Sequence, residues 1–211
     1  MTIKAILFDM DGVLIDAKEW HYEALNKALS HFGFIINRDA HLTTYDGLPT
    51  KSKLEKLSEA QGLPEGLHEH INKLKQKYTI QYSYKNCKPT FNHRYALSSL
   101  SRRFKIAVCS NSISKTINTL MDLSGLTEYI DLFISNEDVE HPKPSPEMFL
   151  KAMSKFKVEP SECLIIEDNE NGFKAAKESG AFLMKVANPD DVQLQKIDTV
   201  INEINGKQSN T

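Results

Sequence analysis

The chain has 211 residues, 40% apolar and 26% charged, with a formal net charge of −2. That is an ordinary balance for a folded globular protein, with no global attraction to nucleic acid or an anionic membrane. No apolar run approaches the ~18 residues of a membrane span, the first residues lack a signal-peptide pattern, and Cys87, Cys109 and Cys163 are odd in number and widely spaced, which argues against a disulfide framework or a zinc site. A cytoplasmic protein is expected, built as one domain or one domain with an insert.

Residues 3–8 read as a short buried strand that delivers Asp9 and Asp11 to its carboxyl end, with Gly12 where the chain must turn. Residues i and i+2 of an extended segment point the same way, so the two carboxylates should converge. Like charges that close need a cation or a shared proton to relieve them, and a hard cation with oxygen ligands suggests Mg²⁺. Residues 18–32 carry apolar positions at helical spacing (Trp20, Ala24, Leu25, Ala28, Leu29, Phe32), stopped by Gly33. After a turn at Asp46-Gly47, Thr50 caps a predicted helix holding Leu54 and Leu57 and ending at Gly62. Leu67, Ile71, Leu74 and Tyr78 mark another. Residues 17–88 therefore read as purely helical. The rest alternates: strand 104–109, helix 115–123, strand 132–134, a proline-rich loop at 142–146, a helix through Met148 to Phe156, strand 163–166, helix 171–179, strand 181–186, a last strand at 198–201 and a polar frayed tail over 206–211. Alternation of this kind predicts a parallel, doubly wound α/β sheet, with residues 17–88 as an inserted helical cap on a core of 1–16 and 89–211. One regional bias stands out: between Glu69 and Asp122 there are ten basic residues and no acidic one, a local field able to draw in an anion. A solvated lysine-rich face would look the same.

Several predicted strands end in polar residues: Asp9 and Asp11, then Ser110, then Glu167 and Asp168. In a parallel sheet those ends share one edge, where such folds bind ligands. Taken singly, each has a plain structural reading: the Asp pair as a loop cap, Ser110 as a helix cap, Lys143 as a surface lysine and Glu167-Asp168 as a capping pair. Together they form a cluster that needs a divalent cation and suits a phosphoryl group.

These stretches, in this order, resemble the motifs of the haloacid dehalogenase superfamily of phosphohydrolases: Phe-Asp9-Met-Asp11-Gly-Val-Leu the first, Ser110 the second, Lys143 the third, Glu167-Asp168 the fourth. The helical insertion is similar to the small cap of the phosphoglycolate phosphatase and β-phosphoglucomutase branch. The resemblance implies that Asp9 is the nucleophile that forms an aspartyl phosphate and Asp11 the general acid and base. It implies Mg²⁺ held by Asp9, the Asp11 carbonyl and Asp168, with Glu167 in or next to that shell, and Ser110 and Lys143 on the phosphoryl oxygens, with Asn111 as an added donor.

In the cap, Lys51 is the expected contact to a distal phosphate or sugar oxygen, and His21, at the hinge, is expected to position Asp11. Each reads equally as an ordinary helix residue. Two departures from the family pattern are Ala17, where relatives often carry a hydroxyl, and residues 89–93, which lack the usual Pro-Gly before the second motif. The expected activity is Mg²⁺-dependent hydrolysis of a small phosphorylated metabolite, a sugar phosphate before a nucleotide, with no nucleic-acid or membrane partner. A β-phosphoglucomutase-like mutase and a catalytically silent binding protein are the alternatives. Oligomeric state is not legible.

Overall fold

The N-terminal apolar stretch becomes the middle of a sheet. In the computed structural model, which describes residues 2–208, β1 (Ala5–Phe8) pairs in parallel with β2 (Lys105–Cys109) on one side and β4 (Cys163–Glu167) on the other. β3 (Leu132–Ile134) and β5 (Phe182–Lys185) complete an all-parallel order β3-β2-β1-β4-β5. The fold is therefore the expected α/β class. Leu7 lies level with Ala107 and Ile165, so side chains alternate in step across the three central strands. Ile6, Phe8, Ile106, Val108, Leu164 and Ile166 face one layer; Ala5, Leu7, Ala107, Cys109, Cys163 and Ile165 face the other. A sheet covered on both faces needs apolar residues at every position, which is why these strands read as continuous runs.

Between β1 and β2 the chain makes α1 (Lys18–Ser30), a short α2 (Arg38–Ala40) that runs into a π-helical turn at His41–Tyr45, then α3 (Thr50–Gln61) and α4 (His68–Asn86). These helices have a core of their own, in which Leu29, Leu57 and Ile71 are completely buried. Each such side chain stabilises by about 1.5–3 kcal/mol. Thr50 is the first residue of α3 rather than its cap; Pro49 precedes it and no side chain caps that end. Ala17 likewise offers no cap to α1. The return path, where the Pro-Gly is missing, passes through extended Thr90 (φ −108°, ψ 135°) straight into α5 (Phe91–Leu100).

One face of the sheet is covered by α5, α6 (Ser114–Ser124) and the last helix, and the other by α7 (Glu147–Phe156) and α8 (Glu170–Ser179). The last element corrects the sequence reading. Residues 198–201 are not a strand but the middle of α9 (Leu194–Gln208). The β-branched run Thr199-Val200-Ile201 suggests extension, yet Leu194, Ile197, Ile201 and Ile204 recur at helical spacing and pack on the sheet. The predicted frayed tail is helical through Gln208; its last three residues lie outside the described part. No described helix is long and apolar enough to cross a membrane.

Candidate active site

Asp9 extends β1 by one further ladder bond, its N–H donating to Ile166 O at 3.0 Å. The chain then turns tightly: Leu14 and Ile15 both donate to Met10 O at 2.9 Å, and Gly12 donates to Ile15 O at 2.7 Å. Gly12 sits at φ +92°, and a Cβ there would fall 2.0 Å from Asp168 Oδ2. Only glycine gives both the left-handed backbone and that approach. Met10 turns into the core while Asp9 and Asp11 line one cleft, as the i, i+2 spacing predicts.

Lys143 organises the buried charges. Its ammonium, 3% exposed, donates to Asp9 Oδ1 at 2.6 Å, Glu167 Oε1 at 2.8 Å and Cys109 O at 2.8 Å. Burial works against that charge, but Asp9 and Glu167 outweigh it and hold Lys143 well above the ordinary lysine range. Asp9 goes the other way: burial first, then Glu167, push its carboxyl well up despite Lys143. The other oxygen of Glu167 accepts from the N–H groups of Asp168 (2.7 Å) and Asn169 (3.3 Å) at the start of α8, where a helix favours negative charge. Gly172 makes room for it, since a Cβ there would lie 1.9 Å from Glu167 Cδ. Gly172→Ala must displace Glu167 from Lys143, at a cost of about 1–3 kcal/mol together with activity. Thermal melts and initial rates of the purified variant check this; a variant as stable and active as the parent contradicts the packing described.

Asp11 is held differently. Its Oδ1 lies 3.0 Å from His21 Nε2, and its Oδ2 accepts from Ser112 Oγ at 3.0 Å and Ser110 Oγ at 3.5 Å. His21 Nδ1 in turn lies 3.1 Å from Lys75 Nζ. Burial raises Asp11, but His21, Ser112 and Lys75 outweigh it and hold the carboxyl below its usual value. The two carboxylates are thus driven apart, though in the opposite sense to that expected of an ionised nucleophile beside a protonated acid.

Asn111 and Lys51, the other expected substrate contacts, line the cleft with partners of their own. Asn111 is not a free donor: Nδ2 is spent on Gly47 O and Lys143 O, each at 3.0 Å, and Oδ1 accepts from Lys143 N–H at 3.0 Å. It braces two loops. Lys51 lies at the cleft edge, but its side chain is 85% exposed and nearest Glu55. Lys53 and Lys75 also line the cleft from the inserted helices, with Asn72, Gln76 and His41. Burial lowers Lys53, and burial with Lys53 beside it brings Lys75 down to about 8. Of the ten cations in the acid-free interval, Lys75 is the one that lines the cleft. Lys18 was also missed: its ammonium is 2.5 Å from Asp168 Oδ2 and 3.9 Å from Asp46. A signal for Lys75 existed, since it lies four residues after core Ile71 on the same helix face.

Carboxylate oxygens of Asp9, Glu167 and Asp168 all lie within 4.8 Å of one another. Asp168 Oδ2 is buried, with the Lys18 ammonium 2.5 Å away. Three clustered carboxylates served by only two close ammonium groups, Lys143 and Lys18, are a hard oxygen donor set that fits a small divalent cation such as Mg²⁺.

The family model described as haloacid dehalogenase-like hydrolase matches residues 6–186. The chain belongs to that family. A phosphoglycolate phosphatase from Aquifex aeolicus is 30% identical over 179 residues, 84% of this chain and 82% of the relative. A phosphorylated carbohydrates phosphatase from Thermotoga maritima is 27% identical over the same shares. Among solved structures, a β-phosphoglucomutase from Clostridium difficile superposes with a TM-score of 0.83 over 96% of this chain and 98% of that one, at 22% identity. At that identity the likeness speaks for the fold. Family and relatives together make this haloacid dehalogenase-like chain a phosphoric monoester hydrolase.

Proposed function

We propose that this hydrolase is a Mg²⁺-dependent phosphatase acting on a small phosphorylated sugar through a phosphate ester of Asp9. The observation that carries the reading is Asp9 at the tip of the central strand, backed by Lys143, with Asp11 close by on the His21 and Ser112 contacts. Asp9 Oδ attacks phosphorus in line, and the bond from phosphorus to the sugar oxygen breaks as the new one forms. Asp11 protonates that leaving oxygen, then takes the proton of the water that opens the aspartyl phosphate. Asp11 is held ionised in the free protein, and the negative charge of an arriving phosphoryl group raises its pKa and supplies the proton-holding state. Ser110 lies beside the phosphoryl oxygens, and Lys143, its three N–H groups held by Asp9, Glu167 and Cys109 O, offers them its charge, where charge stabilisation does most of the work. Asp9, the Asp11 carbonyl and Asp168 would hold Mg²⁺, with Glu167 orienting Lys143; the ion would keep Asp9 ionised and neutralise phosphoryl charge.

Residues 17–88 act as the cap over a core of 1–16 and 89–211, a division supported by the separate hydrophobic cluster of α1, α3 and α4. In that cap, Lys53, Lys75, Asn72 and Gln76 meet the sugar end of the substrate. The buried, unpaired thiols suit a reducing cytoplasm.

A second reading has one observation in its favour. Asn111 and Asn171 donate to the carbonyls of Gly47 and Asp46, contacts that tie the cap loop to the core, and a mutase needs its cap closed against water. Phosphate release from sugar phosphates, phosphoglycolate and nucleotides, with and without Mg²⁺, decides between them when β-glucose 1-phosphate and its bisphosphate are followed for isomerisation. Metal-dependent release with a sugar phosphate as best substrate is the expected result. Isomerisation with little free phosphate replaces it by the mutase.

A further inference from the structure

Lys18 opens α1, and a cation at a helix N-terminus is electrostatically misplaced, because the backbone N–H groups there already carry partial positive charge. What it gains is outside its helix. Lys143 is committed to Asp9, Glu167 and a backbone carbonyl, so the third carboxylate, Asp168, relies on Lys18 at 2.5 Å. The space is built for that contact: a Cβ on Gly12 would meet Lys18 Cε at 2.5 Å and Asp168 Oδ2 at 2.0 Å. The Asp168 side chain is fully enclosed, whereas that of Lys18 is 36% exposed on a long stem, so the lysine is the partner able to leave. A second acceptor stands ready in Asp46, 3.9 Å from the same ammonium and 28% exposed.

We propose that Lys18 is a tethered counter-ion that occupies the divalent cation's place at Asp168 and yields it by moving to Asp46. This rests on the Mg²⁺ reading of the carboxylate cluster above. An ammonium and a divalent ion within a few ångströms of one oxygen repel each other, so the ion binds only as the lysine withdraws. The protein then keeps its acidic cluster neutralised when metal is scarce, and its metal affinity is set by the lysine as well as by the ligands. Lys18 sits on α1 and Asp168 at the foot of α8, whereas Asp46 lies in the same inserted segment as Lys18. Metal entry therefore also removes one tie between that segment and the sheet.

The test is Mg²⁺ titration by calorimetry of the full chain as wild type, Lys18→Met and Asp46→Asn, with melts in EDTA to verify folding. Lys18→Met is expected to bind Mg²⁺ about tenfold or more tightly, the size of effect that groups next to metal ligands commonly exert. Asp46→Asn keeps Lys18 on Asp168 but removes its second seat, so it is expected to bind Mg²⁺ several-fold more weakly. Should Lys18→Met fail to fold, Asp46→Asn decides alone. Wild-type affinity in the folded variants overturns the role of Lys18 and leaves the metal reading in place. A wild type that binds no Mg²⁺ overturns both.

Discussion

Asp9→Asn is expected to lower phosphate release by about 10⁴-fold or more, the scale of losing a nucleophile, while leaving the metal-free protein at least as stable as the wild type. The first half follows from position: Asp9 is the carboxylate at the tip of β1, in contact with Lys143, at the bottom of the cleft. The second half follows from the direction of its pKa. Burial and Glu167 raise the folded-state value well above the unfolded one. In the window between those two values the native state binds the extra proton, so metal-free stability falls as pH rises. Asparagine carries no charge to bury, and that part of the slope disappears with it. Melting temperatures in EDTA from pH 4 to 8, beside rates with Mg²⁺, read both halves. A variant with substantial turnover removes the nucleophile assignment; an unchanged pH slope removes the electrostatic one.

Lys143→Met is expected to be the most destabilising single change at the site. It leaves Asp9 and Glu167 facing each other, buried and without their cation. Breaking a buried pair from one side costs about 3–5 kcal/mol, which for a chain of this size lowers the melting temperature by roughly 10 °C. The sign with pH is opposite to that of Asp9. The folded pKa of Lys143 is raised, so its contribution is fully present below the ordinary lysine value and is lost only as pH rises through the folded one. Between pH 5 and 9 the wild-type lysine therefore adds no slope, and the variant's deficit should grow with pH as Asp9 ionises without its cation. Saturating Mg²⁺ should restore part of the stability by binding the native state without restoring activity. An unaltered melting temperature would place the lysine outside the charge cluster.

The core of the site was legible because buried geometry leaves little choice. A parallel sheet aligns the strand ends, so Asp9, Asp11, Ser110, Glu167 and Asp168 had to meet once the strands were recognised. The inserted helices offered no such constraint. Lys51 and Lys53 are two residues apart on α3, about 200° around a helix, and the choice between them depends on how α3 lies against α4. Ser112 was hidden by a loop whose direction only the fold determines. Asn111 lines the cleft, but nothing local in the sequence indicates that the backbone of Gly47 and Lys143 will claim its amide. The misread α9 is a different failure, in which three β-branched neighbours outweighed a helical spacing that was also present.

β1 lies in the chain well ahead of both strands that flank it. Its two neighbours, β2 and β4, begin at residues 105 and 163, and the contacts that neutralise its carboxylates span 134 residues to Lys143 and 101 to Ser112. Such long loops must close before those contacts return any stabilisation, which slows folding. During synthesis β1 waits for β4 until residue 163 has emerged, although α1, α3 and α4 can assemble their own core long before. Assembly around Asp9 thus lags far behind the synthesis of the strand that carries it.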